Sequence, residues 1–503
     1  MRQVILVVLA ITLLLLSSQS SSQTTTYVMT RPAAMQFLYQ SSWGPTDASI
    51  NRVRTIGKAA YINEQLGFNT STFPEPPDPD VSTNFRPAQS AFFGNVVNNN
   101  DQLRTRMAFF YHQVWVVAGT FRRPQQMVPY MRVLQTHAFS NYRVLMEEMT
   151  LNPAMGDYLD MVNNSKYSPN ENYARELLQL FTVGPVLLNI DGTIQTDSLG
   201  NPLPTYNEAV VSNLARVLTG WTYPTYPGKT PACVNSFHYS GKMLVVCQSR
   251  HDTNAKTLMN GYRIPANQTA EAELKLALDH IFNHPNVGPF IATRMIHHFV
   301  TSNPSPEYIA RVARVFNNNG SGVRGDMRAV IRAVLLDTEA SSIGPFHGRL
   351  REPIHYSVAI LRAFGATVDR NGNWLNARNN EMGQNPFIPP SVFNYFFLEN
   401  DDPEFGLHTV INASAREKFV YNFSRNTLGS GTSVKLDYYL NLASQGKRTE
   451  LLQAVAFRLL PEGRLSPEDL AIALPALQST SDPNTMVQLA IQLVTTTRFQ
   501  VQS

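Results

Sequence analysis

Two short stretches of the chain carry the residue types that acid–base or metal chemistry uses, and the first lies between residues 171 and 179. On helical spacing its polar side chains share one arc, whereas apolar side chains fill the rest of the helix. Either carboxylate could act as a general base or a metal ligand, and Arg175 could bind an anionic group. The alternative is a solvated face on which Glu171 caps the helix and pairs with Arg175. The polar set consists of Glu171, Asn172, Arg175, Glu176 and Gln179.

The second stretch covers residues 251–256 and closely follows a cysteine. It contains His251, Asp252 and Lys256, and polar loops held by a rigid scaffold are frequent sites of binding and catalysis. His251 could transfer a proton or bind a metal, and Lys256 could bind a phosphate, sulfate or carboxylate. The alternative is an ordinary polar loop that follows a disulfide.

Both stretches together predict an enzyme with one polar cleft. The substrate we expect is an anionic or polymeric extracellular molecule, and a divalent metal is the cofactor that these side chains suggest. The alternative is a non-catalytic surface or matrix binding protein, in which the same side chains form a structural network. Catalysis requires the two stretches to meet near one reacting atom. The candidate catalytic residues are Glu171, Arg175, Glu176, His251, Asp252 and Lys256.

The N-terminus has the layout of a secretory signal peptide. Arg2 precedes an apolar run over residues 4–16, and a small-x-small site at Ser20 and Ser22 predicts cleavage before Gln23. The run is shorter than the roughly 20 apolar residues that cross a bilayer. We therefore expect a secreted or extracytoplasmic protein, in the periplasm or at the cell surface, without a transmembrane anchor.

Export changes the interpretation of Cys233 and Cys247, the two cysteines of the chain. In an oxidising compartment such a pair is expected to form a disulfide rather than a reactive or metal-binding site. Closing a loop of about 15 residues would stabilise the folded state by on the order of 3 kcal/mol in the chain-entropy treatment.

Helix-like segments separated by turn residues predict a mostly α-helical fold, a large multi-helical globular array with long loops and at most a small β element. Residues 103–117 are apolar on all sides, which predicts a buried helix, and His112 inside it is expected to be buried and hydrogen-bonded. Four further helix starts are predicted from capping signals at Ser168 with Glu171, Thr205 with Glu208, Ser466 before Pro467, and Asp482 before Pro483.

Length and charge bound the organisation of the chain. It has 503 residues, a formal net charge of +4 without charge runs, and 16% charged residues, so a nucleic-acid partner is not expected. We predict a signal peptide over residues 1–22 and a main helical domain with the disulfide-bearing loop over residues 23–368. A loop-rich segment and a C-terminal helical cap packed on that domain follow over residues 369–503.

Several motifs, taken in order, resemble those of the bacterial family called domain of unknown function 1800. The most specific block covers residues 152–184 and includes PNENYAREL at residues 169–177. The resemblance spans nearly the whole mature chain and implies an exported, helix-rich protein. Members are often encoded beside exported sulfatase-like proteins, which implies a partner of that class. Further matching motifs are WGPT at 43–46, RMAF at 106–109, HAF at 137–139, GW at 220–221 and REP at 351–353.

Overall fold

The structure is a computed structural model that describes residues 28–76, 84–119, 124–225, 230, 232–235, 244–344, 347–395, 406–496 and 498–502. The predicted signal peptide and its cleavage site lie outside the described residues. Over the described residues the protein is mostly α-helical, which confirms the predicted fold class.

Twenty-one α-helices occur in the described residues. In the first half of the chain they are α1 (Arg31–Ser41), α2 (Asp47–Ile56), α3 (Lys58–Gly67), α4 (Arg86–Asn98), α5 (Gln102–Val114), α6 (Pro124–Thr136), α7 (Tyr142–Thr150), α8 (Pro153–Tyr158), α9 (Asn172–Glu176) and α10 (Glu208–Val217). A π-helix (Leu177–Thr182) continues α9 directly. In the second half they are α11 (Ala270–Phe282), α12 (Val287–Phe299), α13 (Pro306–Asn317), α14 (Met327–Leu336), α15 (Pro353–Ala363), α16 (Leu375–Glu381), α17 (Val410–Ser424), α18 (Asp437–Ser444), α19 (Arg448–Leu459), α20 (Pro467–Gln478) and α21 (Pro483–Thr495).

The β structure described is limited to two-residue strands that pair antiparallel in twos. The pairs are β1 (Trp221–Thr222) with β2 (Val245–Val246), β3 (Lys256–Thr257) with β4 (Arg263–Ile264), β5 (Arg349–Leu350) with β8 (Val501–Gln502), and β6 (Thr367–Val368) with β7 (Thr432–Ser433). The last two pairs join residues on either side of the predicted domain boundary at residue 369. The buried apolar side chains likewise form one core cluster that extends from Ala34 to Phe499.

The capping signals locate two helix starts correctly. Ser466 accepts a hydrogen bond from the backbone N–H of Asp469, whose carboxylate in turn accepts from the Ser466 N–H. Asp482 accepts from the backbone N–H of Thr485 at 2.8 Å. These contacts satisfy donors that would otherwise lack partners in the first turn, so α20 and α21 begin where predicted.

The two other capping predictions were wrong in register. Helix α9 begins four residues after Ser168, and its N-cap residue Glu171 makes no side-chain cap hydrogen bond. Asn207 rather than Thr205 caps α10, because its Oδ1 accepts the N–H of the third helical residue. Thr205 is buried next to Asn286, and its backbone N–H is bonded to Pro185. Tertiary contacts therefore outcompeted the local signal.

Over residues 103–114 the predicted buried helix is α5, which has buried residues on every side, whereas residues 115–117 are buried but lie beyond its end. His112 is fully buried in it, and its Nδ1 lies 2.8 Å from the Tyr130 hydroxyl, as expected for a hydrogen-bonded core histidine. The predicted disulfide is present between Cys233 and Cys247. No helix among the described residues has the length and apolar character needed to cross a bilayer.

Candidate functional site

The first predicted face belongs to a partly exposed ion-pair network. Arg175 on α9 lies 3.2 Å from Glu171 and donates two hydrogen bonds of 2.9 Å to Glu208, the first residue of α10. The Arg175 side chain is 35% exposed and that of Glu208 is 78% exposed, so these pairs are solvated and weak. They connect α9 to the first residue of α10. The expected pair of Glu171 with Arg175 is present, but the expected side-chain cap from Glu171 is not.

The side chain of Glu176 is buried, unlike those of Glu171 and Arg175. Its Oε2 has no hydrogen-bond partner among the residues that the structure describes. Burial raises the pKa of the Glu176 carboxyl, and the nearby Arg175 opposes that shift only in part. A carboxyl in such surroundings can hold a proton more readily than an exposed one, which is the property of a general acid.

The second predicted stretch is a buried network rather than an open loop. Lys256 Nζ lies 2.5 Å from Glu273 Oε2 on α11, and both side chains are fully buried. His251 Nε2 is 3.3 Å from the same oxygen, and His251 Nδ1 is 2.9 Å from the carbonyl oxygen of Thr219. Lys256 also donates to the carbonyl oxygen of Asp252. Every charged group here therefore has a partner inside the protein.

Asp252 is held by Arg216 on α10 through hydrogen bonds of 2.9 Å from Nε and 3.2 Å from Nη2. Burial by itself would raise the pKa of the Asp252 carboxyl, but Arg216 and the Asn254 backbone amide outweigh it and lower the pKa to about 2. Burial lowers the pKa of Lys256, and Glu273 opposes that shift. These contacts fix the loop against two helices, which is a structural role.

The two predicted stretches contact opposite ends of α10. The first reaches Glu208 and the second reaches Arg216, positions about 12 Å apart along a helix. No hydrogen bond or ion pair found among the described residues joins one stretch to the other. Their common cleft, and with it the catalytic role of both, stays a prediction.

A metal site does not fit these residues well. Within the described ranges, no group of three or more His, Cys, Asp and Glu side chains is arranged to hold a metal ion. The Lys256 ammonium already lies against the Glu273 carboxylate, where a metal ion would otherwise bind. The side chains present thus favour an ion-paired lysine over a divalent metal at this position.

A different part of the structure forms a cleft of about 520 Å³ between α5, the π-helix, α12 and residues 184–194 and 392–394. Apolar side chains line much of it, among them Phe110, Leu180, Val186, Phe290 and Phe393. The polar side chains that line it are Gln113, Arg294, His297, His298, Arg349 and Asn394. We call this feature the Arg294 cleft.

Arg294 is one of the two arginines that line this cleft, the other being Arg349. Its guanidinium carbon lies 4.2 Å from the centroid of the Phe290 ring, one helical turn earlier on α12. No carboxylate within the described ranges pairs with it. Burial lowers the pKa of Arg294 to about 10, so the side chain remains charged at neutral pH. A guanidinium that lacks an anionic partner inside the protein is available to an anionic ligand.

Behind the cleft wall, buried cations outnumber buried anions. Three guanidinium groups lie there near Arg349, which lines the cleft and pairs with Glu352 at 2.6 Å. In the part of the chain that the structure describes, the other three have no ion pair. Burial lowers the pKa of Arg106 to about 9 and those of Arg351 and Arg416 to about 10. The surroundings of the cleft are therefore electropositive and favour an anion.

Comparison with protein families places these features in a known context. The family described as protein of unknown function (DUF1800) matches residues 36–501, nearly the whole chain. The chain belongs to the DUF1800 family. No curated protein and no solved structure matches it.

In this DUF1800 chain the family motifs reach the Arg294 cleft from two directions. The block that includes PNENYAREL ends in the π-helix and Gly184, and both Leu180 and Gly184 line the cleft. Arg349 stands two residues before the REP motif at 351–353, whose Glu352 is its partner. Short π-helical segments are rare in proteins, and they occur frequently near functional sites.

Sequence reasoning did not identify Arg294 or Arg349 as site residues. The available signal was the recurrence of Phe290, Arg294 and His298 at every fourth position of α12, which puts an aromatic ring, a cation and an imidazole on one face. The neighbouring pair His297 and His298 offers no such signal for a shared metal ion, because adjacent positions on a helix point about 100° apart.

One glycine motif in this DUF1800 chain lies outside the structural setting in which such motifs bind nucleotides. Residues 320–325, GSGVRG, have the spacing of a dinucleotide-binding loop. They connect α13 to α14, whereas the functional motif connects a strand to a helix. Asn141 instead donates to the carbonyl oxygen of Arg324 in this turn, which indicates a packing role.

Proposed function

We propose that the protein is exported and that its Arg294 cleft binds a ligand with an anionic group and an apolar body. The observation that carries the proposal is that Arg294, a half-buried side chain without a carboxylate partner among the described residues, lines a cleft with apolar walls. A volume of about 520 Å³ is within the range of sites for small molecules. The guanidinium matches the planar geometry of a carboxylate, and apolar surroundings strengthen the attraction.

The same residues support ligand binding more directly than catalysis. Binding requires only the cation and the apolar walls, both of which are present. Catalysis by Glu171, Arg175, Glu176, His251, Asp252 and Lys256 stays a prediction, as do a divalent metal and an exported sulfatase-like partner. We therefore state the function as binding of an amphipathic anion.

Decanoate is the probe that tests this proposal. We expect it to bind the mature protein with measurable heat in isothermal titration calorimetry, and Arg294→Gln to weaken binding about tenfold or more. A charge-assisted hydrogen bond contributes about 1.5–3 kcal/mol, and about 1.4 kcal/mol corresponds to a factor of ten. Decan-1-ol, which keeps the apolar chain but lacks the charge, should bind equally to both proteins.

The matched control for this prediction is Arg314→Gln. Arg314 is an exposed arginine on the adjacent helix α13, so its replacement changes the net charge of the protein equally without touching the cleft. Decanoate should bind this variant as it binds the wild type. Equal losses in the two variants would reduce the effect to overall charge, and no decanoate binding to the wild type would refute the proposal.

Export is tested separately by the N-terminus of the protein released from an expressing cell. Cleavage after Ser22 predicts that N-terminal sequencing starts at Gln23. Replacing Leu14 by Arg would interrupt the apolar run and should keep the protein inside the cell with its N-terminal segment intact. Release of this variant at the wild-type level would contradict export through a signal peptide.

A further inference from the structure

The inner wall of the Arg294 cleft contains a histidine whose protonation is fixed by its neighbours. Gln113 donates a hydrogen bond of 2.6 Å from Nε2 to the carboxylate of Glu352, which accepts from Arg349 as well. The Gln113 Oε1 therefore faces His298 Nδ1, at 2.8 Å. Because an amide oxygen can only accept, His298 Nδ1 must carry the hydrogen. The second ring nitrogen, Nε2, is then a bare acceptor.

His298 Nε2 has no hydrogen-bond partner in the part of the chain that the structure describes, and the residue is 4% exposed. Burial lowers the pKa of His298 well below its ordinary value, and Arg106 and Arg349 lower it further. The ring is thus neutral at physiological pH. A buried acceptor without a donor is unfavourable, and a ligand that donates a hydrogen bond to it would remove that cost.

A second unsatisfied acceptor lies beside the first. Asn394 donates from Nδ2 to the backbone carbonyl oxygen of Gln113 at 3.4 Å, and a carbonyl cannot donate in return. This contact orients the amide, and Asn394 Oδ1 is left buried without a partner in the described ranges. Both Asn394 and His298 line the cleft and contact Gln113. The two unsatisfied acceptors therefore belong to residues that line the same cleft.

The charges around these acceptors select the kind of donor. Arg106 donates to the backbone carbonyl oxygen of His298 at 3.3 Å, and Arg349 donates to the same oxygen. An ammonium donor would be repelled by these two cations, whereas a neutral hydroxyl would not. Arg294 and His298 are four residues apart on α12, so their side chains project from the same face one turn apart.

We infer that the ligand of the Arg294 cleft is a hydroxylated carboxylate, whose carboxylate pairs with Arg294 and whose hydroxyl donates to His298 Nε2 or Asn394 Oδ1. This inference rests on the proposed function and adds the substrate class. The one-turn spacing places the hydroxyl within a few bonds of the carboxylate, and the apolar walls accommodate the remaining chain.

The test compares decanoate with 2-hydroxydecanoate and 3-hydroxydecanoate by isothermal titration calorimetry. We expect at least one hydroxy acid to bind the wild-type protein about three- to tenfold more tightly than decanoate, the gain of one net hydrogen bond. In at least one of the variants His298→Phe and Asn394→Gly, the hydroxy acid should bind no more tightly than decanoate. Asn394→Gly is the second variant, because Asn394 has a φ of 72° that glycine adopts without strain.

A spectroscopic measurement on the wild-type protein does not depend on whether the variants fold. With ¹⁵N-labelled histidine, the His298 signals should show a protonated Nδ1 and an unprotonated Nε2, and the hydroxy acid should shift the Nε2 signal more than decanoate does. A protonated Nε2 in the free protein would overturn the inference.

The outcomes separate the inference from the function on which it rests. If neither decanoate nor the hydroxy acids bind, the proposed function fails. If all bind equally, anion binding stands and the hydroxyl inference is overturned. A preference for the hydroxy acid that persists in both His298→Phe and Asn394→Gly would also overturn it, because the hydroxyl would then be recognised elsewhere.

Discussion

Replacing Glu273 by Leu is expected to lower the free energy of unfolding by about 3–5 kcal/mol, the cost of leaving a buried charge without its partner. Lys256 and Glu273 are both fully buried, with Nζ and Oε2 2.5 Å apart. His251 contacts the same carboxylate and would lose that partner as well. The midpoint of urea unfolding, followed by circular dichroism, measures the effect.

Two variants show whether the effect has this cause. Lys256→Met combined with Glu273→Leu removes both charges and should recover most of the lost stability, because an apolar pair of similar size can replace a buried ion pair. Glu208→Ala removes one of the two carboxylate partners of Arg175, and because that pair is exposed to solvent its loss should have a much smaller effect. A double variant no more stable than Glu273→Leu alone would contradict the ion-pair explanation.

The result also bears on the catalytic prediction for His251, Asp252 and Lys256. A network whose members are paired and buried supports the fold, and its loss is measured as instability. A catalytic network would instead show altered turnover with unchanged unfolding. Glu176 is the candidate for which the second result is more reasonable, since its carboxyl is buried without a hydrogen-bonded partner in the described part of the chain.

The mostly α-helical fold class could be predicted from local sequence signals, because tertiary contacts left most of these helices unchanged. Residues 103–117 are apolar on every side, which is compatible only with a buried helix, and α5 is such a helix. Ser466 and Asp482 each precede a proline, and side-chain oxygens at these positions satisfy the free N–H groups of the next turn. Thr205 instead contacts Asn286, and Asn207 caps α10 in its place.

The candidate site could not be predicted in the same way because its chemistry depends on which partners are missing. Arg294 is one arginine among many in the sequence, and only the folded chain shows that no carboxylate pairs with it within the described ranges. Lys256 is the opposite case. The sequence suggests that Lys256 could bind an external anion, whereas in the folded chain it pairs with Glu273, 17 residues later. The sequence shows which side chains are charged, but only the folded chain shows which of them form ion pairs.

Acidification from pH 7.5 to pH 5 is expected to destabilise the protein through its buried neutral histidines. Burial lowers the pKa of His112 from 6.5 to about 3, and it lowers those of His298 and His355 well below the ordinary value. A histidine with a depressed pKa in the folded state binds protons preferentially when the chain unfolds. Its stabilising contribution is therefore complete above about pH 6.5 and is lost as the pH falls towards the folded pKa.

The expected loss at pH 5 is about 2 kcal/mol for each fully buried histidine, since the pH is then about 1.5 units below the unfolded pKa and each unit is worth about 1.4 kcal/mol. Asp252 does not contribute in this window, because its pKa is about 2. Glu176 acts in the opposite direction, because burial raises the pKa of its carboxyl and protonation then favours the folded state.

His112→Phe isolates one of these contributions. The variant loses the 2.8 Å contact with the Tyr130 hydroxyl, which should cost about 1 kcal/mol at every pH. Between pH 7.5 and pH 5, however, its free energy of unfolding should fall by about 2 kcal/mol less than that of the wild type. Urea unfolding at both pH values measures the difference. If both proteins lose the same stability over this range, His112 is not held neutral by burial, because only a change of its protonation on unfolding makes its removal depend on pH.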